Sequence, residues 1–316
     1  MATSLVSTGV QYSNGSIRTS AKWATKAIFG YGAVGGGTYF AVTNLVNNYG
    51  GISLDVTGVG TARYQPAAAG YGGDKAIFGY GFAGTTYYSI TNLVSNVGVV
   101  GTDVTGIGTA RSSTAAAGYG RDKAIFGYGF NAGYYSITNL VSNTGVVGTD
   151  VTGIGTTRYD LAAAGYGGDK AIFGYGYAST SGGTATNVTN LVSNVGVVGT
   201  DVTGVGGSRS ALAAAGYGGD KAIFGYGDVF GSPLSPTNLV SNTGVVGSDV
   251  TGVGTARYGL AAAGYGGDKG IFGYGYTGGG VFVNMTNLIS NTGVVGTDVT
   301  GIGTSRYYLA AASYSS

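Results

Sequence analysis

Residues 123–129 read K-A-I-F-G-Y-G, and the same stretch, with Gly for Ala in one copy, begins at Lys26, Lys75, Lys170, Lys221 and Lys269. Working outward, T-N-L-[VI]-x-N follows each copy, from Thr43, Thr91, Thr138, Thr189, Thr237 and Thr286. Next comes D-V-T-G-[VI]-G, from Asp55, Asp103, Asp150, Asp201, Asp249 and Asp298. An Arg then closes each unit: Arg63, Arg111, Arg158, Arg209, Arg257 and Arg306. Thr to Asp is always 12 residues, Asp to Arg always 8, and Arg to the next Lys always 12. One window alone changes length, between G-Y-G and T-N-L. It holds 10, 9, 8, 12, 9 and 10 residues of unrelated sequence.

Each unit offers four strand-like runs: A-A-A-G-Y-G, K-A-I-F-G-Y-G, the end of the window through T-N-L-V, and G-V-V-G-T-D-V-T. They are short, rich in β-branched or aromatic residues, and separated by glycines, as strands are. No run has the 3.6-residue period of a helix, and Gly in every segment disfavours one. Four strands in a repeat of about 48 residues describe a propeller blade. The expected fold is therefore all-β, a six-bladed β-propeller of four-stranded blades over residues 26–316, preceded by an N-terminal segment, 1–25, serving as an extra strand or an anchor. The last copy ends in Y-Y-L-A-A-A-S-Y-S-S with no K-A-I-F-G-Y-G after it, and the first lacks its A-A-A-G-Y-G. The sequence thus predicts ring closure, with Leu309–Tyr314 pairing against Ala27–Tyr31 and hiding two sheet edges.

The unit resembles the kelch repeat. The order Arg111, small residues Ala115–Ala117, the β-run Ala124–Phe126 and then Gly127-Tyr128-Gly129 in the diglycine place carries the resemblance. It covers residues 26–312. Two features depart from that pattern: Tyr splits the diglycine, and no Trp precedes the Arg, the one Trp being Trp23. Gly-rich, highly regular repeats of this kind are also similar to structural proteins of tailed bacteriophages. That resemblance implies a virion or extracellular surface location and structural partners.

Composition narrows the chemistry. The chain of 316 residues has 66 Gly and 26 Tyr but no His, no Cys and no Glu. Disulfides and thiolate chemistry are excluded. Net charge is only +2, which favours neither nucleic acid nor an anionic membrane. No apolar run reaches the length of a membrane helix, and the N-terminus shows no secretory leader pattern. Twelve of 15 Lys and Arg, and 11 of 13 Asp, sit at template positions. A residue repeated once per unit fits a structural role better than a catalytic one, so Asp and Arg are expected in buried pairs or hydrogen bonds between units. Asp160 and Asp228 are the only off-template carboxylates, and acid–base catalysis without His needs carboxylates in contrasting environments. No catalytic residue, metal site or cofactor is expected.

The variable window carries the functional signal, because binding residues concentrate on loops held by a rigid scaffold. The candidate binding residues are Tyr39, Phe40, Tyr87, Tyr88, Phe130, Tyr134, Tyr135, Tyr177, Asp228, Phe230, Tyr276 and Phe282, all within these windows. Exposed aromatics among Ser, Gly and Asn have the composition of an adaptable recognition surface. The competing reading is tolerance to insertion, with the rings packed between units. The expected function is a non-enzymatic structural or attachment protein, with other structural proteins, a surface receptor or a glycan as partner. The alternative is a lectin-like carbohydrate-binding propeller.

Overall fold

The computed structural model describes residues 2–6, 9–12, 17–18, 25–178 and 183–315. Trp23 and residues 179–182 of the fourth window lie outside these. Among the described residues the chain is all-β, built of many small sheets without a helix. The N-terminal segment forms its own antiparallel sheet from Ala2–Val6, Gly9–Tyr12 and Ile17–Arg18.

Six equivalent three-stranded sheets follow. In each, K-A-I-F-G is the central strand, flanked by A-A-A-G-Y and T-N-L-V. One such sheet joins Ala115–Tyr119, Lys123–Phe130 and Tyr134–Val141. Another joins the two ends of the repeat: Ala310–Ser315 pairs with Thr25–Gly30, from Ala310 opposite Gly30 to Ser315 opposite Thr25, and Thr43–Val46 completes it.

The fourth expected strand is reduced to two bridges per unit. Val104 pairs with Thr91 and Val100 with Val94, which leaves one more residue on the outer segment than on T-N-L-V. Such a mismatch is a bulge and breaks the ladder. The sheets are therefore three-stranded with a bridged outer segment, rather than evenly four-stranded.

The apolar core lies between sheets. Successive side chains of a strand point to opposite faces, so Ala27 and Phe29 pack toward the sheet of Ile271 and Ile28 toward the sheet of Phe78; Tyr31, just past the strand at φ 64°, turns to the Phe78 side as well. Both faces of K-A-I-F-G are covered, which explains why the run is continuously apolar. The A-A-A-G-Y strands touch one another in order: Ala67–Tyr71, Ala115–Tyr119, Ala162–Tyr166, Ala213–Tyr217, Ala261–Tyr265 and Ala310–Ser315, and the last touches the first again. Small side chains allow this approach. A Cβ on Gly70 would stand 3.0 Å from the Ser313 carbonyl oxygen.

The repeated charge lies between units. Arg111 is fully buried. Its guanidinium lies 4.4 Å from the Tyr80 ring of its own unit, and its hydrogen bonds reach into the next. It donates to Tyr128 O at 2.7 Å, to Thr109 O at 2.9 Å and to Asn139 Oδ1 at 2.7 Å. Asp150 accepts from Thr109 N and Oγ1 and from Asn139 Nδ2, while its Arg111 contact is a loose 3.9 Å. The Asp is thus mainly a hydrogen-bond acceptor joining units, and these bonds hold its carboxyl below the usual range against the opposing effect of burial. The arrangement recurs where the chain ends meet: Arg306 reaches Tyr31 O and Asn44, and Thr304 reaches Asp55.

Arg158 departs from it. Its Nε has no partner among the described residues, its Nη1 donates to Val188 O at 2.5 Å, and its Nη2 to Asn190 Oδ1.

Candidate functional site

G-Y-G begins the site. The six tyrosines of this motif, such as Tyr128, adopt a positive φ of 62–65°. That conformation costs a non-glycine residue about 1–2 kcal/mol, and it turns the ring into the interface between units, where Tyr128 meets Phe173 at 5.1 Å. The following glycine must also be glycine: Gly129 has φ +114°, and a Cβ there would lie 2.7 Å from Ser112 O. Beyond this bulge the hairpin of the central and third strands continues as the variable window. The windows are hairpin tips, so their length is free while the frame is not.

The first residue of the window pairs with the residue after the Arg, as in Phe82 with Tyr64, Phe130 with Ser112 and Asp228 with Ser210. The rings of neighbouring units meet there. Centroid contacts run without a break from Tyr177 through Tyr159, Phe130, Tyr87, Phe82, Tyr64, Tyr308, Tyr307 and Tyr276 to Tyr258, at 4.7–6.2 Å. Tyr134, Tyr39 and Phe282 join as branches. These separations lie in the attractive range for aromatic pairs. The gap in the series falls at the fifth window, where Ser210 and Asp228 stand.

The expected binding residues separate on this geometry. Tyr39, Tyr87, Phe130, Tyr134, Tyr177, Tyr276 and Phe282 belong to the aromatic series and are half-buried, not fully exposed as their composition suggested. Phe230 is 72% exposed at a hairpin tip. Phe40, Tyr88 and Tyr135 are half-buried beside the series; Tyr135 OH donates to Asn131 O at 3.4 Å. Asp228 does not face solvent. It is buried, accepting from Ser210 Oγ at 2.8 Å and Gly231 N at 2.7 Å, which ties down its own hairpin.

A second group was missed by sequence reading. The residues two after each Arg are Gln65, Ser113, Asp160, Ala211, Gly259 and Tyr308, all with φ 49–61°. Their backbones form a closed round: Gln65 N–H donates to Tyr308 O, Ser113 to Gln65, Asp160 to Ser113, Ala211 to Asp160, Gly259 to Ala211 and Tyr308 to Gly259, at 2.6–3.2 Å. A second round joins the other ends of the same strands: Gly72 to Asp122 O, Gly120 to Asp169, Gly167 to Asp220, Gly218 to Asp268, Gly266 to Thr25 and Ser315 to Asp74. The signal was present in the sequence. Within a frame of fixed length, this position changes identity in every unit.

A cavity of about 70 Å³ sits at the first round, bordered by Gln65, Thr114 and Asp160 on its polar side and Leu212 and Leu260 on its apolar side. Asp160 Oδ1 accepts from Gln65 Nε2, and Oδ2 from Tyr308 OH, each at 3.3 Å. Burial raises its carboxyl to about 6, with the Asp228 charge adding to the shift and hydrogen bonds from Ser113, Tyr308 and Gln65 opposing it. Burial likewise holds the Tyr308 hydroxyl well above its ordinary value. The opposite end has a larger cavity of about 290 Å³, rimmed by Asp–Lys pairs such as Asp169 with Lys170 at 3.1 Å. No cluster of three metal-ligating side chains occurs among the described residues.

No known family model matches the chain, and no curated protein matches it.

Proposed function

We propose that the six sheets are the blades of a β-propeller resembling kelch, and that the disc is a non-enzymatic structural or attachment protein binding through its aromatic end. The return of the strand contacts and of both hydrogen-bond rounds to their starting unit supports the propeller reading. One observation carries the functional reading: an aromatic series crosses five units, joining rings on the window hairpins to the tyrosines that follow the template Arg. Rigid aromatic rings provide contact area at low entropic cost. The paucity of charge and the absence of Cys suit a virion or other extracellular surface, with a structural protein or surface receptor as partner. A carbohydrate ligand is the second reading, favoured by tyrosines lying next to carboxylates at the same end.

The test puts the shortest window, residues 130–137 with Phe130, Tyr134 and Tyr135 changed to Ser, at all six positions, leaving the frame intact. Wild-type and replaced chains are compared on glycan arrays and on immobilised surface preparations of candidate hosts. Loss of binding with an unchanged melting temperature is expected. Equal binding by both chains overturns the reading. Glycan binding alone selects the carbohydrate ligand.

A further inference from the structure

Ten of the thirteen Asp have a Lys or Arg nitrogen within 4.0 Å. Asp201, an eleventh, is held by Thr156 and Asn190 in the field of Arg158. Asp160 and Asp228, the two carboxylates outside the template, take part in no ion pair among the described residues. Asp228 is satisfied by its own hairpin. Asp160 is held only by two 3.3 Å side-chain contacts and by Ser113. Asp160 is half-buried, and a carboxylate withdrawn even partly from water is normally paired with a cation.

Asp160 borders the cavity of about 70 Å³ at the first hydrogen-bond round, with Gln65 and Thr114 on the polar side.

We propose that this cavity is a socket for a primary ammonium group, which takes Asp160 as counter-ion. Size selects the group. About 70 Å³ is roughly two waters' share of liquid volume, enough for a CH₂–NH₃⁺ head and too little for a sugar ring. Charge excludes a dedicated divalent site, for lack of a carboxylate cluster among the described residues. Tyr308, whose ring joins the aromatic series, links socket to collar, and aromatic faces attract such cations. This deepens the binding-face reading and rests on it only in sharing that end of the molecule. The ammonium belongs to a lysine side chain of a partner protein.

The groups around Asp160 set the pH response. Tyr64, Tyr159, Tyr258, Tyr307 and Tyr308 all interact with it and are all raised, so they stay neutral at physiological pH. Asp228 is the other acid near it. Affinity therefore falls as pH drops through about 6, where Asp160 takes up a proton.

The test is calorimetric titration of the full chain with n-butylammonium at pH 8 and pH 5, with n-butanol and calcium as controls. The expected result is one saturable site for the amine at pH 8, at least tenfold weaker at pH 5, and no site for n-butanol. Asp160→Asn keeps volume, removes a half-buried charge, and should weaken the amine at least tenfold. No saturation, equal binding of n-butanol, tighter binding of calcium, or an unchanged Asp160→Asn affinity overturns the proposal. A lysyl peptide, titrated in parallel, should occupy the same site, and glucosamine, whose amine is borne directly on the ring, should not. Failure here with a binding defect in the window-replaced chain leaves the collar reading standing.

Discussion

Replacing Arg111 by Met tests the layer that joins the units. Met keeps most of the aliphatic stem and removes the guanidinium. Three acceptors lose their donor: Tyr128 O and Asn139 Oδ1, both at 2.7 Å, and Thr109 O at 2.9 Å. The stacking on Tyr80 at 4.4 Å is lost as well. Each abandoned buried acceptor costs about 1–3 kcal/mol, but losses within one network do not add, and breaking a buried charged pair typically costs about 3–5 kcal/mol. With a urea slope near 3 kcal/mol/M, the unfolding midpoint falls by roughly 1–1.7 M. Arg158 is the internal control. Its Nε already lacks a partner among the described residues, and it makes two side-chain hydrogen bonds instead of three. Arg158→Met relieves an orphaned donor and should cost less than Arg111→Met by about 1–3 kcal/mol. Urea titration followed by tyrosine near-ultraviolet circular dichroism measures both. Equal costs, or a cost below about 1 kcal/mol for Arg111→Met, would refute the idea that these individual hydrogen bonds hold the sheets together.

Three further outcomes are expected. Asp160 titrates at about 6 when folded, above its ordinary 3.8, so its charge opposes folding: the penalty is absent below about pH 4, grows up to pH 6 and is full above it. Asp160→Asn should therefore raise stability at pH 8 by roughly 1–3 kcal/mol and leave it unchanged at pH 4, read as urea midpoints at the two pH values. Deleting Ala310–Ser315 leaves the strand Thr25–Gly30 unpaired along one edge; size-exclusion chromatography and limited proteolysis should show aggregation or cleavage near that strand. Gly129→Ala, at φ +114° with a carbonyl oxygen 2.7 Å from the new methyl, should cost more than about 2 kcal/mol, and Gly84→Ala, at φ +64° with open space around it, about 1 kcal/mol, both from thermal melts.

The sequence by itself determined the repeat, the all-β character and the division into a fixed frame and free windows. Those are local properties: strand propensity, glycine punctuation and constant spacing act within one unit. The pairing of the last A-A-A with the first K-A-I-F was legible too, because each end of the chain lacks what the other supplies. Only tertiary structure decided the rest. The fourth segment looked like a strand by composition, but the one-residue mismatch between Val94–Val100 and Thr91–Val104 confines it to two bridges. Asp228 and Phe230 stand two residues apart in one window, yet one is buried and the other exposed, because Ser210 from the preceding segment reaches in to hold the carboxylate. Gln65, Asp160 and Tyr308 are up to 243 residues apart in sequence. Nothing local in any of them announces that the three meet at one cavity. Their meeting follows from six small-residue strands converging side by side, which brings one residue from every unit within hydrogen-bond reach of the next.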